Sequence, residues 1–150
     1  MMPFRELAIV LCAVIPISSA GAAPQSPYLG RWLIAGASPA PWSVAGDPAT
    51  APVPAPIVGK AIVYERSRIA GPRLLACRRP NYQLRQVPPE GLFQGGLTSP
   101  AAQAAALGFR GTSIPTLQTG CAGSIDFHFV DQSTALFALD NMVYTMRKRR

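Results

Sequence analysis

The sequence predicts a mainly β fold, a small antiparallel up-and-down β-barrel of about eight strands with one short helix. The C-terminal third reads as four strands joined by short turns, and four further segments upstream are rich in β-branched or aromatic residues. An open sheet of this kind leaves two exposed edges, and closing it into a barrel removes both. A sandwich of two packed sheets with a similar number of strands is the alternative architecture.

The C-terminal strands form a predicted meander. In the second strand Ile125, Phe127 and Phe129 share one face, because side chains alternate along a strand. Asp140-Asn141 suits a two-residue hairpin turn, since both residue types tolerate positive φ. The four predicted strands cover 116–121, 124–130, 134–139 and 142–147.

The upstream strands are interrupted by one predicted helix. Ser99 suits the N-cap, Pro100 the first helical position and Gly108 the left-handed stop, so the helix body covers 101–107. Glycine and proline mark the loop 88–96 that leads into it. The four upstream strands are predicted at 30–35, 60–66, 67–76 and 82–87, with Gly71-Pro72 bending the third.

The chain begins with a predicted secretion signal. An apolar run of eleven residues, 7–17, is followed by small residues that suit cleavage after Ala22. As a helix this run rises about 16 Å, too little for a hydrocarbon core of roughly 30 Å. The expected location is therefore periplasmic or secreted, and retention of the signal as an anchor is the alternative.

The remaining residues form one predicted domain with a distinctive first part. Residues 23–58 hold the first strand and a strap rich in proline and alanine, 59–147 the rest of the barrel, and 148–150 a basic tail. Six prolines between 39 and 56 disfavour regular pairing in the strap. Trp42 lies within it, and the cost of exposing an indole predicts that at least this part docks on the domain.

Export also bears on the cysteines. Once the signal is removed, Cys77 and Cys121 remain, and an oxidising compartment favours a disulfide between them. On the chain-entropy model a bond closing a loop of about 45 residues stabilises the fold by roughly 4 kcal/mol. Two unrelated buried thiols are the alternative. The single histidine and scattered carboxylates predict no metal site and no cofactor.

The net charge of +7 is concentrated at the C-terminus, where the last four residues are basic. This end is predicted to be solvated, with peripheral contact to an anionic membrane surface as the alternative. Export argues against a nucleic-acid partner. The chain is expected to be a monomer that binds a small apolar ligand or an envelope protein.

Two sets of residues are candidates for binding. Six aromatic side chains are candidates to line a cavity for an apolar ligand, although eight strands leave little interior space and filling of the core is the favoured interpretation: Trp32, Trp42, Tyr64, Tyr82, Phe127 and Tyr144. Six arginines could bind carboxylates of a glycan or a partner protein, although plain exposure to solvent is the favoured interpretation: Arg66, Arg68, Arg73, Arg78, Arg79 and Arg85.

His128 is the one candidate for catalysis. Asp126 and Ser124 lie on the same side of the predicted strand as His128. Together the three residues supply the residue types of a hydrolytic triad. No Gly-x-Ser-x-Gly motif accompanies them. We therefore predict a polar, solvated strand face here and a protein that is not an enzyme, with a hydrolase as the last-ranked alternative.

The segment Gly30-Arg31-Trp32, together with the basic C-terminus, resembles the lipocalin and wider calycin pattern. The resemblance implies that Trp32 closes the floor of a barrel and that Arg147 packs over it. It also implies a non-enzymatic binding module. A second resemblance, to small disulfide-bonded periplasmic barrels that inhibit lysozyme, implies an inhibitor of an envelope hydrolase with the loop 88–96 as its wedge.

Overall fold

The computed structural model describes residues 26–121, 123 and 125–150. The predicted signal at 1–22 and Ser124 lie outside the described residues. Within the described part, no helix has the length and apolar character needed to cross a bilayer.

Eight antiparallel strands form one strongly curled sheet, a half-barrel, in the order β3-β2-β1-β8-β7-β6-β5-β4. This is the neighbour order of an up-and-down barrel opened between β3 and β4, and it confirms the predicted fold class. The strands are β1 Gly30–Pro39, β2 Ala61–Tyr64, β3 Ile69–Ala70, β4 Gln83–Val87, β5 Ile114–Gln118, β6 Phe127–Phe129, β7 Thr134–Leu139 and β8 Met142–Arg149.

Side chains and a disulfide, not a strand ladder, link the two ends of the sheet. Among the described residues no ladder joins β3 to β4. The predicted bond between Cys77 and Cys121 is confirmed, with Cα atoms 6.0 Å apart, and it ties the segment after β3 to the end of β5. The Tyr82 hydroxyl donates to the carbonyl oxygen of Glu65 at 2.8 Å. The barrel is thus held together across its open side.

Several strand boundaries differ from prediction because pairing partners extend or shorten them. β1 continues four residues into the predicted strap, where 36–39 pair with 142–145 of β8. β3 keeps only two residues of the predicted 67–76, since the chain turns at Gly71 and pairs Cys77 with Ile69. β8 runs to Arg149, so the predicted basic tail at 148–150 lies largely inside the sheet, paired with Arg31 and Trp32.

Both faces of the sheet carry a hydrophobic cluster. The concave cluster draws on seven of the strands and includes Trp32, Ile62, Tyr64, Leu117, Phe127, Phe137, Tyr144 and Met146. The convex cluster packs parts of β5, β7 and β8 beneath the segment between β4 and β5 and includes Leu92, Phe93, Ala104, Phe109, Ile114, Leu136 and Val143.

The segment that covers the convex face holds the two helical elements. A kinked 3₁₀ helix, Pro89–Gly95, replaces the predicted irregular loop, and α1 follows at Pro100–Ala106. Ser99 occupies the N-cap as predicted but makes no side-chain capping bond; instead its amide donates to Oε1 of Gln103 at 2.9 Å. Gly108 has φ +95°, as expected for a helix stop.

The strap docks on the hairpin between β7 and β8, and the prediction for Trp42 is confirmed. The indole Nε1 donates to Oδ1 of Asn141 at 3.0 Å, and the ring lies 5.6 Å from that of Phe93. The amide of Val53 donates to the carbonyl oxygen of Asp140, and the amide of Ala55 donates to the Tyr144 hydroxyl. The strap is therefore tied to the sheet at both ends.

Candidate functional site

Five of the six aromatic residues predicted as cavity lining are brought together at the concave cluster, and only Trp42 lies elsewhere. Trp32, Tyr64, Phe127 and Tyr144 are buried in the concave cluster. Tyr82 packs partly buried at the open side, and Trp42 lies on the convex side. Phe137 stacks on Tyr144 at 5.1 Å and lies 5.3 Å from Phe127, so these rings pack against one another inside the half-barrel.

Trp32 has a cation over its ring, but that cation is Lys148 and not Arg147. The Lys148 Nζ lies 5.4 Å from the ring centroid, within cation–π range. Trp32 is paired with Lys148 across the sheet, whereas Arg147 is paired with Thr134 of β7 and donates to its hydroxyl. Adjacent residues on a strand face opposite sides, so a one-residue difference decides which basic side chain reaches the indole.

His128 lies on the convex face, as alternation predicts, but that face is covered and the predicted solvated environment is wrong. The imidazole is fully buried between β5 and the 3₁₀ helix. Its Nε2 accepts a hydrogen bond from the backbone amide of Phe93 at 2.9 Å, and its Nδ1 lies 2.8 Å from Oγ1 of Thr116. Because an amide can only donate, Nδ1 carries the proton and donates to Thr116.

This arrangement gives His128 a structural role. Burial lowers its pKa from 6.5 to about 4, so the ring is neutral at neutral pH. Asp126, the predicted triad partner, hydrogen-bonds to Gln118, and burial raises the pKa of its carboxyl. Both ring nitrogens are thus engaged, one by the amide of Phe93 and the other by the hydroxyl of Thr116. Neither partner is a carboxylate, the group that orients the imidazole in a hydrolytic triad.

A polar cleft of about 280 Å³ opens beside His128. Its walls include four residues with positive φ: Phe93, Gln94, Asp140 and Asn141. The last two form the predicted hairpin turn, for which this conformation is normal. Phe93 and Gln94 form no such turn, and the hydrogen bond from Phe93 to His128 holds them in place.

Part of the loop 88–96 packs against the sheet, while its use as the wedge of an inhibitor stays a prediction. Pro89, Leu92 and Phe93 are buried against the sheet. The kink that brings Phe93 onto His128 falls at Leu92, Phe93 and Gln94, whose backbone angles are not helical. The sequence signal for this packing was the apolar pair Leu92-Phe93 between the glycines.

An apolar groove of about 340 Å³ lies on the concave side of β4, β5 and β6, at the mouth of the half-barrel beside Pro27. Leu84 of β4 is paired with Leu117 of β5, so both face the concave side, but Leu84 is 45% exposed because β4 ends the sheet. The groove includes none of the six predicted aromatic residues. It is lined by Pro27, Leu84, Gln86, Pro115, Phe129, Val130, Asp131 and Gln132.

The six arginines are all exposed, in agreement with the expectation that they face solvent. Arg68 forms an ion pair with Glu65, the one such pair found in the described part of the chain. Arg85 lies on β4 itself, and Arg78 and Arg79 precede that strand. Most of this positive charge therefore surrounds the open side of the half-barrel without a carboxylate partner in an ion pair.

No family model, curated protein or solved structure matches this chain. The Cys77–Cys121 bond is typical of a protein from an oxidising, extracellular environment.

Proposed function

We propose that this protein is an exported, non-enzymatic binding module that holds the apolar part of a ligand or partner protein in the groove beside Leu84. The observation that carries the proposal is the groove itself. It combines a large exposed leucine with Pro115, Phe129 and Val130 at an otherwise filled barrel, and its volume of about 340 Å³ falls in the lower range of ligand sites.

The packing of the concave face supports a site at the mouth of the barrel over one in its interior. Trp32, Phe137 and Tyr144 have no exposed surface, and their rings contact neighbouring rings. A ligand in the groove would cover the exposed side chain of Leu84 and meet Phe129, whose ring lies 5.7 Å from that of Trp32. Binding there needs no opening of the core.

The state of His128 supports a non-enzymatic role. A general base must reach a substrate proton, and this imidazole has both nitrogens engaged beneath Phe93. Its neutral, buried form serves the packing of the convex face. A hydrolase would therefore need a general base other than His128.

Export is supported by two independent features. The apolar run at 7–17 with small residues after it has the order of a secretion signal, and Cys77 is bonded to Cys121. A periplasmic or secreted location fits both. The lysine over Trp32 fits the lipocalin-like resemblance, with Lys148 in the place expected for Arg147.

The test is titration with a neutral naphthylamine dye whose fluorescence rises in apolar surroundings. Wild-type protein should bind it saturably, and Leu84→Ser should weaken binding about tenfold, since burying a leucine contributes about 1.5–3 kcal/mol. Val44→Ser is the matched control, because Val44 is 56% exposed and does not line the groove.

Unsaturable dye binding, or equal weakening by Leu84→Ser and Val44→Ser, would contradict the proposal. Far-UV circular dichroism of each variant establishes that the fold is retained. Because Leu84 lies at an exposed edge, neither substitution should change the spectrum.

A further inference from the structure

The two ends of the sheet differ in how their edges are satisfied. At β3, Ile69 exchanges backbone hydrogen bonds with Cys77 at 2.7 and 2.9 Å, so the returning chain covers that edge. At β4, the described residues show backbone pairing only with β5. Four consecutive residues of β4, 83–86, are exposed on both faces. No strand or returning chain among residues 26–121, 123 and 125–150 therefore pairs with the backbone donors and acceptors along the outer edge of β4.

We propose that this edge binds an extended peptide segment of a partner protein as an added strand, and that the segment alternates acidic and apolar residues. The inference rests on the proposed function, because the apolar side chains would occupy the groove. Leu84 and Gln86 face the concave side, where the groove lies, while Gln83, Arg85 and Val87 face the convex side. An added strand alternates in the same way.

The charge on the convex side of β4 selects the acidic residues. Arg85 lies at the centre of the strand and is exposed, and Arg78 and Arg79 are exposed just before it. Arg85 donates to the side chain of Gln83 and acts electrostatically on Asp126. A carboxylate directly across from Arg85 would add a cross-strand opposite-charge pair.

The same charge disfavours a second copy of this chain as the occupant. In a fully overlapped antiparallel pairing of two β4 strands, Arg85 would lie directly opposite Arg85 of the other copy. Like charges in that position destabilise a pair of strands. β4 has neither a proline nor a bulge in its five pairs with β5, two of the usual means of blocking an edge. The charge of Arg85 protects this edge against a second copy but attracts a carboxylate on a different chain.

The experiment uses a dye-labelled heptapeptide, Ser-Leu-Glu-Leu-Glu-Leu-Ser with blocked ends, and measures fluorescence anisotropy at low ionic strength and neutral pH. Wild-type protein should bind it saturably. Replacing both Glu with Lys should weaken binding by about tenfold or more, and so should N-methylating alternate peptide bonds in the phase whose amides face β4. At least one methylation phase must do so, because only one edge of the peptide pairs with β4.

Charge reversal on the protein provides the rescue. Arg85→Glu should weaken binding of the acidic peptide and strengthen binding of the Lys peptide. Arg31→Glu is the matched control, since Arg31 is exposed on β1 and its reversal changes the net charge equally. If Arg85→Glu fails to fold, exchange of Glu for Lys in the peptide still tests the charge preference on wild-type protein.

Each result has one meaning. Equal affinity for the methylated and unmethylated peptides overturns strand addition, and equal affinity for the Glu and Lys peptides overturns the acidic preference. Concentration-dependent dimerisation that competes with the peptide would favour a second copy as the occupant and overturn the hetero-partner. Saturable binding of the naphthylamine dye without peptide binding would leave the proposed function standing while this inference fails.

Discussion

Each face of the curled sheet carries a buried cluster, yet the two clusters are built differently. The concave face is filled by side chains from the strands themselves, with Phe137 stacked on Tyr144 and flanked by Phe127. The convex face is covered by a separate segment, and beneath it His128 and Thr116 form a polar chain of hydrogen bonds. The stability of the concave cluster therefore depends on how well its side chains fill the space, whereas that of the convex cluster also depends on hydrogen bonds between polar groups.

This contrast explains why one strand carries two kinds of side chain. Phe127 and Phe129 face the aromatic interior, while His128 between them faces the covering 3₁₀ helix. Substitutions on the concave face should leave cavities, whereas those on the convex face should leave unpaired groups and alter the response to pH.

The largest effect is expected on the concave face, from Phe137→Ala. Phe137 has no exposed surface, and its loss should lower the free energy of unfolding by about 4 kcal/mol through lost burial and a cavity. Urea denaturation with the disulfide intact measures the change. Val44→Ala, at a side chain 56% exposed, should change it by less than about 0.5 kcal/mol. Similar effects at both sites would mean that the aromatic core is not close-packed.

The next largest effect is expected on the convex face, as a loss of stability at acidic pH. Between pH 6.5 and about 4 the unfolded chain protonates its histidine while buried His128 stays neutral. The free energy of unfolding should therefore be fully retained above pH 6.5 and fall as the pH drops to about 4, by roughly 3 kcal/mol in all. Urea denaturation at a series of pH values follows this loss.

His128→Gln is the control for that prediction. Because His128 is the single histidine, the variant should lack the part of the loss that develops between pH 6.5 and 5, whatever its stability at neutral pH. Parallel curves for the variant and wild type would show that the imidazole is not held neutral. Any loss they share belongs to the carboxyl groups.

The smallest effect compares two tyrosine hydroxyls within the concave core. The Tyr64 hydroxyl is buried with no hydrogen-bond partner among the described residues, so Tyr64→Phe should raise the free energy of unfolding by about 1 kcal/mol. The Tyr144 hydroxyl accepts a bond from the amide of Ala55 at 2.7 Å, so Tyr144→Phe should lower it by about 1 kcal/mol. If both substitutions changed the free energy of unfolding in the same direction in thermal or urea denaturation, this prediction would be contradicted.

Local pattern in the sequence determined much of the fold. Alternation placed Phe127 and Phe129 on one face, the Asp140-Asn141 pair located the last hairpin turn, and Trp42 indicated docking of the strap. These features depend on neighbouring residues, or on the cost of exposing one large side chain. The bond between Cys77 and Cys121 followed from these being the two cysteines outside the predicted secretion signal.

Tertiary structure alone decided what covers each face and which edge stays open. Alternation assigned His128 to the side opposite Phe127, but whether that side meets water depends on the distant segment that brings Phe93 over it. Likewise, strand register put Lys148 and not Arg147 over Trp32, and the turn of the chain after β3 covered one edge while leaving Leu84 exposed at the other. Such contacts join residues far apart in sequence, and no local pattern encodes them.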